Sequence, residues 1–269
     1  MQRIGGEGRG LSLIALVDGR EASALPLDDH GVLLGDAVFE TMRAYGGVVF
    51  ALGDHMERLA RSAAWARIAL PNVEDEIASV AKRLGDGAVR AFVLRNHRVV
   101  TAEPLAIDPS IYERGVSACI LPHDDFGTPE SAHAKYARYL PRLLARKEAE
   151  RLGCQDALLA DASGRIVSAA TGSVFAVTRG VLVTSSILEG ITRRRVLQEA
   201  RDMGMDCVLR PIEPADVEHA TEMFVTSSLR EIVPLARVGD KTLGPPGETT
   251  RALLRAYRDR VDLDARALR

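Results

Sequence analysis

Hydrophobic positions in the first third of the chain alternate with polar ones in short runs broken by glycines, which is the period of half-buried strands joined by tight turns. The run "LSLIALVDG" followed by "REASALPL" predicts a hairpin turned at Asp18-Gly19, and "AVFETMRAYGGVVFALG" predicts a second turned at Gly46-Gly47. The period then changes. In "DHMERLARSAAWARIAL", Met56, Leu59, Ala63 and Ala66 recur at helical spacing behind Asp54, so a helix capped by Asp54 is expected. "VEDEIASVAKRLG" predicts another helix, and "AVRAFVLRNH" and "VSACILP" predict strands that close a small α/β unit over residues 1–122.

"HDDFGTPES", residues 123–131, mixes acids with Gly and Pro between two patterned regions and is the candidate linker. Over 132–269 short helices, strands and turns alternate without a repeat. Leu140, Leu144, Ala145, Ala149 and Leu152 predict an apolar helix face behind Lys135, stopped by Gly153. "DALLADASGRIVSA" and "SVFAVTRGVLVTS" predict hairpins, "GITRRRVLQEARDMG" a helix, "EMFVTSSL" a strand ending in hydroxyl residues, and "TTRALLRAYRDRV" a last helix.

Composition narrows the classes. A 46% hydrophobic content over 269 residues supports a sizeable core, and a net charge of −2 with mixed signs excludes nucleic acid or a membrane surface as principal partner. No window is apolar enough for a membrane span, and "MQRIGGEGRG" lacks the make-up of a secretory signal, so the expected address is the cytoplasm. Its glycines are no phosphate loop, since no strand precedes them and no Gly-Lys-Ser/Thr follows. Cys119, Cys154 and Cys207, odd in number and widely spaced, are expected to be buried reduced thiols, with no metal site.

Of thirty-five basic residues only Lys82, Lys135, Lys147 and Lys241 are lysines. Wherever a bare positive charge serves, this chain uses arginine; a lysine differs in that burial can make it a neutral amine able to form a Schiff base. Lys82 and Lys147 fall on charged helix faces and Lys241 in a turn, whereas Lys135 sits beside Ala134, Tyr136 and Tyr139, either as a surface lysine at a helix start or as that amine. Gly190, Ile191 and Thr192 in "LEGITRRR" place free N–H groups and a hydroxyl at a helix N-terminus, a setting for phosphate. Thr226, Ser227 and Ser228 in "VTSSLRE" form a second hydroxyl cluster. Caps and turns use the same residues structurally. A special lysine with two anion cradles nevertheless points to pyridoxal 5'-phosphate.

"DDHGVLLGDAVFETMRAYGGVVFALGDHMERLARSA", the Lys135 segment with "EAERLGCQDALLAD", "GRIVSAATGSVFAV", "LEGITRRRVL" and "MFVTSSLREIVPL" follow one another as in the fold-type IV pyridoxal-phosphate enzymes, which the chain resembles from about residue 10 onward. That family includes branched-chain and D-amino-acid aminotransferases and aminodeoxychorismate lyase. The resemblance implies an α/β (α+β) fold with a small N-terminal domain, a larger C-terminal pseudo-barrel domain, pyridoxal phosphate between them, and a homodimer. It also implies that Lys135 forms the Schiff base and moves the substrate proton. Arg58 then pairs with the phosphate, as do Gly190, Ile191 and Thr192 at the helix start and Ser227 with Ser228.

Three positions depart from the family pattern. Ser168 stands where a glutamate holds the cofactor's ring nitrogen protonated, Ser173 replaces a common asparagine, and Arg138 replaces another. A hydroxyl cannot hold that proton as a carboxylate does, so the ring is expected to be a weaker electron sink. Transamination depends on that sink more than an elimination that expels pyruvate and gains an aromatic ring. "FET" after "LGDAV" and "TSSLREIVPL" lean the same way. The expected activity is therefore aminodeoxychorismate lyase, making 4-aminobenzoate for folate synthesis. The alternatives are a class IV aminotransferase acting on branched-chain or D-amino acids, and a family member that has lost catalysis. Arg95 and Arg230 are candidates for a substrate carboxylate, with structural ion pairs as their other reading, and His97 is expected to be an edge-strand residue without a role.

Overall fold

A computed structural model describes residues 13–123, 134–185 and 188–267. Strands β1 (Ile14–Val17), β2 (Arg20–Glu21), β3 (Ala37–Tyr45), β4 (Val48–Val49), β5 (Gly87–Leu94) and β6 (Arg98–Glu103) form an antiparallel sheet in the order β2-β1-β6-β5-β3-β4. Helices α1 (His30–Leu34), α2 (Leu52–Ala66) and α3 (Glu74–Leu84) belong to the same half. Val38, Met42 and Ala44 of β3 and Val89, Ala91 and Val93 of β5 pack in one core with Leu59, Ala63, Ile77 and Val80 of the helices. Because side chains alternate along a strand, the intervening Phe39 and Thr41, with Arg90 and Phe92 opposite them in register, face the other way. That second face is a wall of the site.

The second half comprises α4 (Ser110–Arg114), β7 (Val116–Pro122), α5 (Leu140–Arg151), β8 (Asp156–Ala160), β9 (Ile166–Ala169), β10 (Ser173–Thr178), β11 (Val181–Thr184), α6 (Ile191–Asp202), β12 (Cys207–Leu209), α7 (Pro214–His219), β13 (Ala220–Ser227), β14 (Glu231–Val238), β15 (Lys241–Thr242) and α8 (Glu248–Ala267). Their sheet runs β12-β11-β10-β13-β14-β7-β8-β9, with β15 on β14, and curls into a half-barrel. Pairings of β7 with β14 and β8 are parallel and most of the others antiparallel. None of the described helices is long and apolar enough to cross a membrane.

The predicted turns at Asp18-Gly19 and Gly46-Gly47 and the tips of the two later predicted hairpins, in "ASG" (162–164) and at Arg179-Gly180, each join paired strands, and Gly19, Gly46, Gly47, Gly164 and Gly180 all have a positive φ. Several expectations are corrected. "REASALPL" contributes only Arg20–Glu21 to a strand. Asp54 does not cap α2: Ala51 holds that position with φ 54, and Asp54 in the first turn pairs with Arg194 and Arg195. The strand 116–122 closes the second sheet, not the first, since its partners are β14 and β8.

Lys135 is not at a helix start. Lys135 lies on a short segment that runs antiparallel beside β3, Tyr136 bridging Val38, with Phe39 N–H donating to Lys135 O at 3.1 Å and Ala137 N–H to Ala37 O at 2.9 Å. The helix starts only at Leu140 because Pro141, lacking an N–H, is tolerated in the first turn and would break an interior. Its expected apolar face is largely outward: Leu140, Leu144 and Leu152 are exposed and Ala149 alone is buried. Cys119 and Cys154 are not free thiols but form a disulfide, with Cα atoms 5.8 Å apart, since the parallel pairing of β7 with β8 brings distant segments together. Cys207 is free and half-buried. Apart from His123, the expected linker lies outside the described residues, as does "GGEGRG".

Candidate active site

Between the outer face of β3 and β5 and the open side of the second sheet lies a cavity of about 660 Å³. Lys135 reaches into it with Nζ 4.3 Å above the Phe39 ring. Its backbone N–H donates to Ser62 Oγ, which donates to Arg58 O, so α2 holds the lysine's main chain in place. The residue is half-buried and lines the cavity. Desolvation lowers the Lys135 pKa to about 7, helped by the charges of Arg58 and Arg142 and opposed by Glu40. A substantial fraction is therefore neutral amine at neutral pH.

Arg58 is buried and doubly bonded to Glu40, Nε to Oε1 at 2.7 Å and Nη2 to Oε2 at 2.7 Å, while Nη1 donates to Glu189 O at 2.8 Å. His55 Nδ1 lies 2.8 Å from the same Glu40 carboxylate. Glu40 occupies a core-facing position of β3 and is fully buried. Burial works against its charge, yet the Arg58 guanidinium and the bonds from Arg58 and His55 prevail and hold its pKa at about 2. Three of the five guanidinium donors of Arg58 are thus used, and two remain for an anion at the cavity wall.

The anion cradle is built at the start of α6. Gly190 is its N-cap, and a Cβ there would stand 2.7 Å from Ser173 Oγ, so this backbone approaches its neighbour as only glycine permits. Ile191, Thr192 and Arg193 line the cavity, and as first-turn residues their N–H groups have no partner within the helix. Ser227 and Ser228 line it from the β13–β14 turn. Among the described residues two buried polar atoms on this wall lack any partner, Arg193 Nη2 and Thr226 Oγ1. Burial draws the Arg193 guanidinium down to about 10, leaving it charged at neutral pH. Orphaned buried donors cost free energy unless something satisfies them. A phosphate would do so, and the cradle therefore fits the phosphate of pyridoxal phosphate, with Lys135 on the same cavity.

The turn itself is clamped from behind. Glu231 has a positive φ of 58, is buried, and accepts bonds from Arg43 at 3.1 Å, Tyr45 at 3.0 Å and Arg258 at 2.8 Å. Arg43 also donates to Leu229 O, so β3 of the first sheet fixes the serine turn of the second.

The remaining sequence candidates divide. Arg230 lines the cavity while its Nη2 donates to Asp156 at 2.6 Å and to Thr171 at 2.9 Å. Arg138 and Ser173 line it as well. Arg95 is absent from the wall: it pairs with Asp36 and donates to Arg67 O. His97 lies in the β5–β6 turn and pairs with Asp18. Ser168 faces inward, donating to Ala169 O at 3.0 Å and Gly172 O at 3.1 Å, and lies behind the wall rather than in it. Arg142 stands in the wall in front of it.

Glu40, His55, Arg142, Arg193 and Glu231 were missed by sequence reasoning. The only available signal was charge at positions whose strand or helix period points to the core, at Glu40 and Arg193.

The amino-transferase class IV family model matches residues 37–238. A Methanocaldococcus jannaschii protein, "Putative branched-chain-amino-acid aminotransferase", is 32% identical over 90% of this chain and 93% of its own. D-alanine aminotransferase of Bacillus licheniformis is 26% identical over the same shares, 90% and 93%. Among solved structures, 4-amino-4-deoxychorismate lyase from Pseudomonas aeruginosa superposes with a TM-score of 0.81 at 25% identity, covering 91% of this chain and 98% of that one.

Proposed function

Because the chain belongs to the class IV aminotransferase family, whose enzymes use pyridoxal phosphate, we propose that this cavity converts 4-amino-4-deoxychorismate to 4-aminobenzoate and pyruvate. When bound, the cofactor supplies an electrophilic aldehyde and a ring that withdraws electrons from the amine-bearing carbon. Arg58, the α6 N-terminus and the Ser227–Ser228 turn hold its phosphate. Lys135 Nζ, neutral in good part near pH 7, removes the proton from the amine-bearing carbon of the substrate. The ether bond to the enolpyruvyl group then breaks, that group leaves and takes up a proton as pyruvate, and the six-membered ring becomes aromatic.

One observation carries this reading: among the described residues no aspartate or glutamate lines the cavity, whereas arginines do so repeatedly. With Ser168 where the family carries its ring-nitrogen glutamate, the site is less well equipped for transamination than for an elimination driven by aromatisation. Arg90, whose Nη1 also pairs with Glu103, and Arg138 add positive charge to the wall, which suits a substrate with two carboxylates. The lyase among the structural neighbours supports it.

A second reading, amino transfer from branched-chain or D-amino acids, is favoured by the names of the sequence relatives. Exposed Leu33, Leu34, Leu140 and Leu144 support a homodimer. Incubating the cofactor-loaded protein with aminodeoxychorismate, and separately with amino acids and 2-oxoglutarate, tests the proposal. Pyruvate and aminobenzoate in equal amounts are expected from the first. New amino acid from the second alone would replace the lyase reading, and silence in both would leave a chain that has kept its cofactor site and lost catalysis.

A further inference from the structure

Arg142 is the third residue of α5, behind Pro141. Its Nη1 donates to Ala169 O at 3.0 Å and stands 3.4 Å from Ser168 Oγ and 3.5 Å from Ala170 O. These contacts pin the guanidinium over the end of β9, while the side chain itself forms cavity wall. The chain beyond β9 continues along that wall through Ala170, Thr171, Gly172 and Ser173, the last packed against Gly190 of the phosphate cradle.

In pyridoxal phosphate the ring nitrogen is para to the carbon bearing the aldehyde. With the aldehyde at Lys135 and the phosphate at Gly190–Thr192, the nitrogen lies across the ring from Lys135. The family's acid would come from position 168, yet Ser168 is buried, its hydroxyl is turned to the Ala169 and Gly172 carbonyls, and it is not among the cavity-lining residues, whereas Arg142, 3.4 Å from it, is.

We propose that Arg142 faces the cofactor's ring nitrogen in place of a carboxylate and keeps that nitrogen unprotonated. A guanidinium has donors and no acceptor, so it can bond only to a nitrogen that keeps its lone pair. It also remains charged at any working pH, and a neighbouring cation disfavours a second positive charge. That Arg142 is felt within the cavity is seen at Lys135, whose pKa it helps to lower. The consequence is a ring that withdraws electrons weakly, suited to reactions whose leaving group carries the electrons away. The proposal rests on cofactor binding and on no particular substrate, so it stands or falls independently of the lyase reading.

The test uses cofactor with an isotopically labelled ring nitrogen, loaded on the parent, Arg142→Gln and Arg142→Met, with borohydride fixation on Lys135 verifying loading. NMR of the ring nitrogen is followed as pH is lowered from neutrality. The parent is expected to be unprotonated at neutral pH, and its protonation midpoint to lie at least about one pH unit below that of either variant, a tenfold weaker proton affinity. Equal midpoints in parent and variants, or a parent already protonated at neutral pH, would overturn it. If the variants fail to fold, the parent's own protonation state at neutral pH still decides. Parent protein that takes up no cofactor would overturn this proposal together with the cofactor site.

Discussion

Replacing Glu40 by Gln removes the negative charge from a fully buried cluster and leaves its shape nearly unchanged. Arg58 then keeps a buried charge whose two shortest bonds went to that carboxylate. Removing one partner of a buried pair costs about 3–5 kcal/mol. An independent estimate comes from the Glu40 pKa, lowered from 4.5 to about 2, which corresponds to roughly 3 kcal/mol of preference for the ionised form in the folded state. The sign follows from linkage. A depressed carboxylate contributes stability above its unfolded value of 4.5 and loses it as pH falls toward about 2. At pH 7 the variant should therefore be less stable by about 3 kcal/mol, a fall in Tm on the order of 10 °C for a chain of this length. As pH falls from 4.5 toward about 2, Glu40 takes up a proton first in the unfolded and only then in the folded parent, so the stabilisation fades and the gap should close. Urea unfolding of cofactor-free parent and Glu40→Gln at pH 7 and over the acid range measures both. A gap below about 1 kcal/mol at pH 7, within the range of an exposed pair, or a gap independent of pH, would refute the reasoning.

Lys135→Ala should leave no cofactor fixed by borohydride, whereas Lys147→Ala should be labelled like the parent; peptide mapping distinguishes them. With the Lys135 pKa at about 7, cofactor loading should level off above neutrality and slow about tenfold for each pH unit below it, which stopped-flow absorbance would show or deny. The Cys119–Cys154 bond closes a loop of 35 residues that contains Lys135, and its reduction should cost about 4 kcal/mol in the chain-entropy model. Unchanged thermal stability of Cys119→Ala with Cys154→Ala would contradict that value. Gly190→Ala should weaken binding of free inorganic phosphate at the cradle, since its Cβ would fall 2.7 Å from Ser173 Oγ; calorimetry reads the loss.

Local chemistry was legible from the chain alone. The four glycine turns, the strands on either side of them, the helix starting at Ile191 and the hydroxyl residues ending β13 depend on near neighbours, because φ preference, side-chain period and free N–H groups are properties of short segments. Lys135 stood out for a similar reason: its rarity among arginines is a fact of composition. What lies across the fold was not legible. The disulfide, the place of residues 116–122 in the second sheet, the exclusion of Arg95 from the cavity and the contact of Arg142 with Ser168 each depend on a partner distant in sequence. The neutrality of Lys135 belongs with these. Nothing in "AHAKYARYL" lowers a pKa; burial, and the charges of Arg58 and Arg142 brought from a helix before it and a helix after it, do so. Sequence determined which groups the chain possesses and the local shapes they adopt, whereas electrostatics and screening act through space, and only the tertiary structure decides those distances.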